Sequence, residues 1–175
     1  AGLRGVLARG GAFRIGGAGP QPEGEAVFET LTSGSSGAPR RILRSMASWT
    51  ASFAVNAQMF QIGPGRRVAV LGDLVQSLAL YGALEAIHLG ASLQLLGGMR
   101  PDRQAAILAA DLLYATPAQL RLLLEAGWRP AGRILVGGSK LDLGLRQALA
   151  GAEVCEFYGA AEASFITLAG PDAPE

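Results

Sequence analysis

Cysteine is almost absent. Cys155 is the only one in the chain, which excludes an internal disulfide and any metal site built from several cysteines. Its setting, Glu153-Val154-Cys155-Glu156-Phe157, alternates like a strand and predicts a buried structural thiol. His88 is the only histidine, too few for a histidine metal cluster. Charge of one sign is also lacking. The net charge of +1 gives no polyanion-binding surface, so nucleic acid and an acidic membrane are not expected partners. Lys140 is the only lysine, and the remaining basic charge is arginine. No long uninterrupted apolar run is present. The most apolar stretch, Leu74 to Leu96, is broken by Gln76, Glu85 and His88 and divides into a helix and a strand, so no membrane span is expected. Arg4, Arg9 and Arg14 precede the first acid as in a transit peptide, but glycines interrupt the segment and no amphipathic stripe accompanies it. A cytoplasmic protein is expected.

What is present is a globular composition, half hydrophobic and only 17% charged. Short β-like runs alternate with helical ones. Strands are expected at 27–32, 40–44, 67–71, 92–96, 111–115, 133–136, 154–158 and 164–168. Helices are expected at 45–60, 75–89, 101–109, 116–125 and 142–150. In the first of these helices Trp49, Phe53, Ala57 and Phe60 recur at helical spacing. Gly90 and Gly127 stand where helix C-caps are needed, and Thr116-Pro117 reads as a helix start. This alternation predicts an α/β fold: a mostly parallel β-sheet flanked by helices on both faces, in three αβα layers. Ligands in such sheets bind beyond the carboxyl ends of the strands. Three strands end in small or polar residues, at Thr32-Ser33-Gly34, Gly137-Gly138-Ser139 and Tyr158-Gly159-Ala160, and these loops are expected to line one crevice.

The strongest motif is Thr32-Ser33-Gly34-Ser35-Ser36-Gly37-Ala38-Pro39-Arg40. Glycines and hydroxyl residues in such density, at the end of a strand and followed by a cation, can wrap phosphate oxygens with backbone N–H groups and hydroxyls. The Walker A spacing and its following helix are both missing. The motif resembles the phosphate-binding signature of the adenylate-forming (AMP-binding) superfamily, which includes acyl-CoA and aryl-CoA synthetases. Three further blocks follow in the family's order. Tyr114-Ala115-Thr116-Pro117 is similar to its strand-then-proline segment, Val136-Gly137-Gly138-Ser139 to its Gly-Gly strand end, and Tyr158-Gly159-Ala160-Ala161-Glu162 to its Tyr-Gly-x-Thr-Glu motif.

The resemblance implies an AMP-forming ligase that converts a carboxylic acid and ATP to an acyl-adenylate, then to a thioester with coenzyme A. A carrier-protein acceptor and a non-catalytic nucleotide-binding homologue remain open alternatives. It further implies that Thr32, Ser33, Gly34, Ser35, Ser36, Gly37 and Arg40 hold ATP phosphates. Gly137, Gly138, Ser139, Tyr158, Gly159, Ala160 and Ala161 would frame AMP and the acyl group, and Glu162 would bind Mg²⁺. The family's lysine is Arg40 here, and its threonine is Ala161. Gln76 stands where many relatives have an aromatic residue or histidine, and Leu78, Tyr81 and Gly82 are expected near the acyl group, with Ala79 and Gly82 leaving room for it. Residues 1–175 are expected to form a single nucleotide-binding core without the C-terminal domain that carries the catalytic lysine in relatives.

Overall fold

A computed structural model describes residues 3–16, 19–32 and 40–170. Ser33, Gly34, Ser35, Ser36 and Gly37 lie outside the described residues.

The strands form two sheets. The larger contains β4 (Arg67–Val70), β5 (Ser92–Leu95), β6 (Leu112–Ala115), β7 (Arg133–Val136), β8 (Glu153–Ala160) and β9 (Ser164–Ala169) in the order β5-β4-β6-β7-β8-β9. The first five are parallel, and β9 returns antiparallel to β8. Residues 161–163 alone join β8 to β9, too short for a crossover, so that pair must be a hairpin. β4, β6 and β7 are buried along nearly their whole length, as strands covered on both faces must be.

Alternate residues of these strands feed two cores. Val68, Val70, Tyr114 and Leu135 pack with helices α2 (Met46–Phe60) and α3 (Ser77–His88), through Trp49, Phe53, Leu80 and Leu84. Ala69, Leu113, Ile134 and Val136 pack with α5 (Pro117–Glu125) and α6 (Leu143–Ala148), through Leu120, Leu123 and Leu145, on the face where α4 (Pro101–Ile107) also contacts α5. The strand period of two thus divides the sheet between helical layers, giving the expected three-layer α/β fold. Cys155 is buried in the first core, and burial raises its thiol pKa.

The helices begin where their caps predict. Ser45 accepts a hydrogen bond from the Ser48 amide, and Asp142 from the Leu145 amide. Thr116 and Gln119 form a reciprocal capping box at α5. The Leu74–Leu96 stretch divides into α3 and β5, and no helix among the described residues is long and apolar enough to cross a membrane.

The earlier strands depart from the one-sheet expectation. β1 (Phe13–Arg14), β2 (Val27–Leu31) and β3 (Arg41–Ser45) form a separate three-stranded sheet, β1 parallel and β3 antiparallel to β2. A helix, α1 (Leu3–Arg9), precedes it. Arg14 is no part of a basic leader here. Its guanidinium is buried, donates to the carbonyls of Gly16, Gly19 and Pro20, and pairs with Glu29 at 3.2 Å.

Candidate active site

β2 and β3 approach each other at the neck of the hydroxyl-rich loop. The Thr32 amide donates to the Arg40 carbonyl at 3.0 Å, and the Arg40 amide donates to Thr32 Oγ1 at 3.0 Å. This neck opens onto a cavity of about 430 Å³. Thr32, Arg40, Gly138, the β8 residues Gly159 and Ala160 and the turn residues Ala161 and Glu162 line it. Trp49, Leu78, Tyr81, Phe157 and Phe165 complete the lining. The cavity takes residues from each of the three expected loops, Thr32, Gly138, and Gly159 with Ala160, and gathers segments from both sheets.

Arg40 and Glu162 meet at 3.4 Å with both side chains substantially exposed. Such a pair contributes little to stability and is easily opened by a charged ligand. The turn carrying Glu162 is held from below by Arg44, a residue the sequence reading did not single out. Its guanidinium donates to the Ala161 carbonyl at 2.7 Å and to Ser164 Oγ at 3.2 Å. Burial lowers the Arg44 pKa, partly offset by the Glu162 charge.

Other sequence-designated residues stand differently. Ser139 and Tyr158 are exposed and do not line the cavity, and Tyr158 is 66% accessible. Gly137 is buried, and a Cβ there would lie 2.2 Å from the Phe157 ring. Gly159 leaves space taken by the Ser164 carbonyl, 2.5 Å from a Cβ position. Both glycines therefore admit close internal packing around the site. Gly138, at φ +93°, is where the chain turns beside the cavity. The room expected at Gly82 is taken by the Tyr114 ring, 2.6 Å from a Cβ position, and does not serve the acyl pocket. Gln76 is the N-cap of α3 and lines a second cavity of about 330 Å³ with Ala79, Thr116 and Gln119. That cavity shares Ser77, Leu78 and Gly138 with the first.

One prediction follows from Gly137. Alanine there must displace the Phe157 ring, and Gly137→Ala is expected to cost about 1–3 kcal/mol by overpacking. The urea midpoint measures this. An unchanged midpoint would mean the ring moves freely.

A buried polar cluster lies behind the aromatic wall. Tyr81 Oη is 2.7 Å from Ser52 Oγ and accepts from Asn56 Nδ2 at 3.0 Å. Asn56 Nδ2 also donates to Glu85 Oε1 at 2.8 Å, and the Tyr114 hydroxyl donates to Glu85 Oε2. Glu85 is fully buried. Burial pushes its carboxyl pKa up to about 7, although both hydrogen bonds favour the charged form. Sequence spacing placed Glu85 on α3, but its partners come from α2 and β6, which a linear reading does not bring together.

Among the described residues no group of three His, Cys, Asp or Glu side chains could by itself hold a metal. A lone carboxylate such as Glu162 suits Mg²⁺ delivered with a nucleotide, since that ion takes one or two carboxylates and draws its other ligands from phosphates and water.

No protein-family profile matches the sequence. The acyl-CoA ligase YhfT of Bacillus subtilis, itself uncharacterized, is 31% identical over 151 residues, covering 81% of this chain and 32% of that protein. A solved acyl-CoA synthetase (AMP-forming)/AMP-acid ligase II-like protein from Dyadobacter fermentans superposes with a TM-score of 0.71. It is 26% identical, over 87% of this chain and 46% of that one. The chain is part of an adenylate-forming domain of the acyl-CoA ligase family.

It spans about a third of the length of the curated ligases it matches, 32% of YhfT. O-succinylbenzoate coenzyme A synthetase from Bacillus subtilis, solved with ATP and a magnesium ion, shares this ligase-domain fold. Its TM-score is 0.69 at 22% identity, over 83% of this chain and 32% of that one.

Proposed function

We propose that the crevice is the acid-activating site of an AMP-forming acyl-CoA ligase. One observation carries this reading. Thr32 and Arg40, the β7 end at Gly138 and the β8–β9 turn converge on a cavity lined both by the exposed charges of Arg40 and Glu162 and by the buried rings of Trp49 and Tyr81. A triphosphate suits the charges and a neutral acyl group the rings. The family membership and the solved relative that holds ATP and magnesium support the same reading.

In the proposed reaction a carboxylate oxygen attacks the α-phosphorus of ATP. The new P–O bond forms as the bond to the β-phosphate oxygen breaks, giving an acyl-adenylate and pyrophosphate. The coenzyme A thiolate then attacks the acyl carbon and expels AMP. Arg40 would leave Glu162 and turn its planar fork to the departing pyrophosphate. Glu162, freed at the same moment, would hold Mg²⁺, which when bound neutralises phosphate charge. Arg44 would keep the Glu162 turn in position, so that no ordering is needed during reaction.

Calorimetric titration with ATP and Mg²⁺, beside titration with AMP, tests this. Glu162→Ala is expected to weaken Mg·ATP binding about tenfold or more, equivalent to about 1.4 kcal/mol, and to affect AMP much less. Equal losses for both nucleotides would remove Glu162 from the metal role. Failure of a folded chain to bind either nucleotide would contradict the reading.

Ala161 favours a second reading, a homologue that binds nucleotide without turning it over. Its methyl group lines the cavity where the resemblance expects a threonine hydroxyl. A hydrogen bond to a charged group contributes about 1.5–3 kcal/mol. If the site is catalytic, Ala161→Thr should raise turnover of the full-length protein. No gain would favour the non-catalytic reading.

A further inference from the structure

The inner end of the crevice restricts which acid it can take. The chain has two Trp, three Tyr and six Phe, and four of these line this one cavity: Trp49, Tyr81, Phe157 and Phe165. Their rings follow one another around the wall. Trp49 meets Tyr81 at 4.9 Å, Tyr81 meets Phe165 at 5.2 Å, and Phe165 meets Phe157 at 4.1 Å between centroids. Angles of 60°, 59° and 37° leave faces and edges turned in several directions, the arrangement that accepts another ring.

The wall is also fixed. The Tyr81 hydroxyl is tied to Ser52 and Asn56, and Asn56 is tied in turn to Glu85. Phe157 lies against Gly137, which has no side chain to push it away. Behind Trp49 come the fully buried Phe28 and Phe53. A long alkyl chain has no exit in that direction. The neighbouring cavity sets Gln76, Thr116 and Gln119, two amides and a hydroxyl, among Leu78, Ala79 and Tyr114, so a polymethylene tail there would desolvate polar groups. Among the described residues the charged side chains on the main cavity are Arg40 and Glu162, both exposed, so a second charge on the acid would find no partner among the rings. A space of about 150 Å³ is enough for a benzene-sized ring, well within the roughly 430 Å³ shared with the nucleotide.

We propose that the acid activated here is a compact, uncharged aryl acid of one ring, held among Trp49, Tyr81, Phe157 and Phe165. This rests on the acid-activating reading above. The carboxylate faces the Arg40–Glu162 mouth, and the ring fills the inner end. Phe165, on the edge-proximal β9, is the specificity-determining residue most easily changed, because it is only partly buried.

The test uses the 175-residue chain, with its fold verified by circular dichroism. Non-hydrolysable acyl-sulfamoyl adenosines carrying benzoyl, hexanoyl or palmitoyl groups are titrated beside AMP. The benzoyl compound is expected to bind about tenfold more tightly than the hexanoyl compound, and the palmitoyl compound no better than AMP. In Phe165→Ala the ratio of benzoyl-compound to AMP affinity falls toward one. A palmitoyl or hexanoyl compound that matches the benzoyl one would overturn the aryl assignment while leaving the acid-activating site intact. So would AMP binding with no gain from any acyl group. A folded chain that binds neither AMP nor any analogue would overturn the underlying site as well.

Discussion

Between pH 4.5 and pH 8 the chain loses on the order of 3 kcal/mol of stability through one side chain, and Glu85→Gln abolishes that loss. Glu85 lies wholly inside the protein, and its hydrogen-bond partners among the described residues are neutral: Asn56 on α2 and the Tyr114 hydroxyl on β6. Removing the carboxylate from water outweighs both hydrogen bonds, and the folded pKa rises from 4.5 to about 7. The sign follows directly. Below pH 4.5 both folded and unfolded chains hold the proton, and no penalty arises. Between 4.5 and about 7 the unfolded chain releases it while the folded chain keeps it, so stability falls as pH rises. Above 7 the loss levels off at about 1.4 kcal/mol for each unit of pKa difference. Glutamine keeps the shape and cannot ionise. Urea unfolding at pH 4.5 and pH 8 should give wild-type and Glu85→Gln free energies that converge in acid and separate in base. Parallel values across the range would show that Glu85 keeps its charge in the fold. The other groups facing it, Tyr81 and Tyr114, have pKa values raised by burial and by the Glu85 charge, so neither titrates in this window.

Trp49→Ala is the second large effect, expected to cost about 3–5 kcal/mol. Trp49 is almost completely buried and joins three parts of the molecule. Its ring centroid lies 4.4 Å from Phe28 of β2, 6.4 Å from Phe53 of its own helix and 4.9 Å from Tyr81 of α3. Truncation leaves a void where the small sheet meets α2 and α3, with rigid rings around it that cannot collapse inward. Trp49→Phe should cost far less. The indole N–H is buried without a hydrogen-bond partner among the described residues, so phenylalanine removes an unsatisfied donor while keeping a ring. Denaturant unfolding of the two variants measures the difference. Equal costs would mean that the indole nitrogen matters more than the ring.

The main sheet was legible because its determinants are local. Near-continuous apolar runs at β4, β6 and β7, the Thr116-Pro117 start of α5 and the glycines after α3 and α5 each act within a few residues. The small sheet was not legible. β1 has two residues and pairs with a strand thirteen positions away, and α1 is a seven-residue helix among glycines. Neither is long enough to show a period. β2 and β3 were recognised as strands, but nothing in their own residues says which sheet they join. Of the sequence blocks, Thr32, Arg40, Gly138 and residues 159–162 meet around one cavity. Arg44 escaped notice, and Glu85 was placed on its helix without its buried role, because both roles depend on partners about 30 to 120 positions away. Tyr158, which the motif made prominent, stands outside the cavity, while its neighbour Phe157 faces it, as strand alternation requires.

Amide chemical-shift mapping of the ¹⁵N-labelled chain during an AMP titration shows whether the crevice at the carboxyl ends of the parallel strands holds the adenylate. Saturable shifts are expected at Thr32, Arg40, Gly138 and Gly159 through Glu162. None are expected at Phe60, Gln61, Ile62 and Gly132, which line a separate cavity of about 240 Å³ by the amino ends of β4, β6 and β7. Shifts confined to that second group, with the first unmoved at saturating AMP, would contradict that placement.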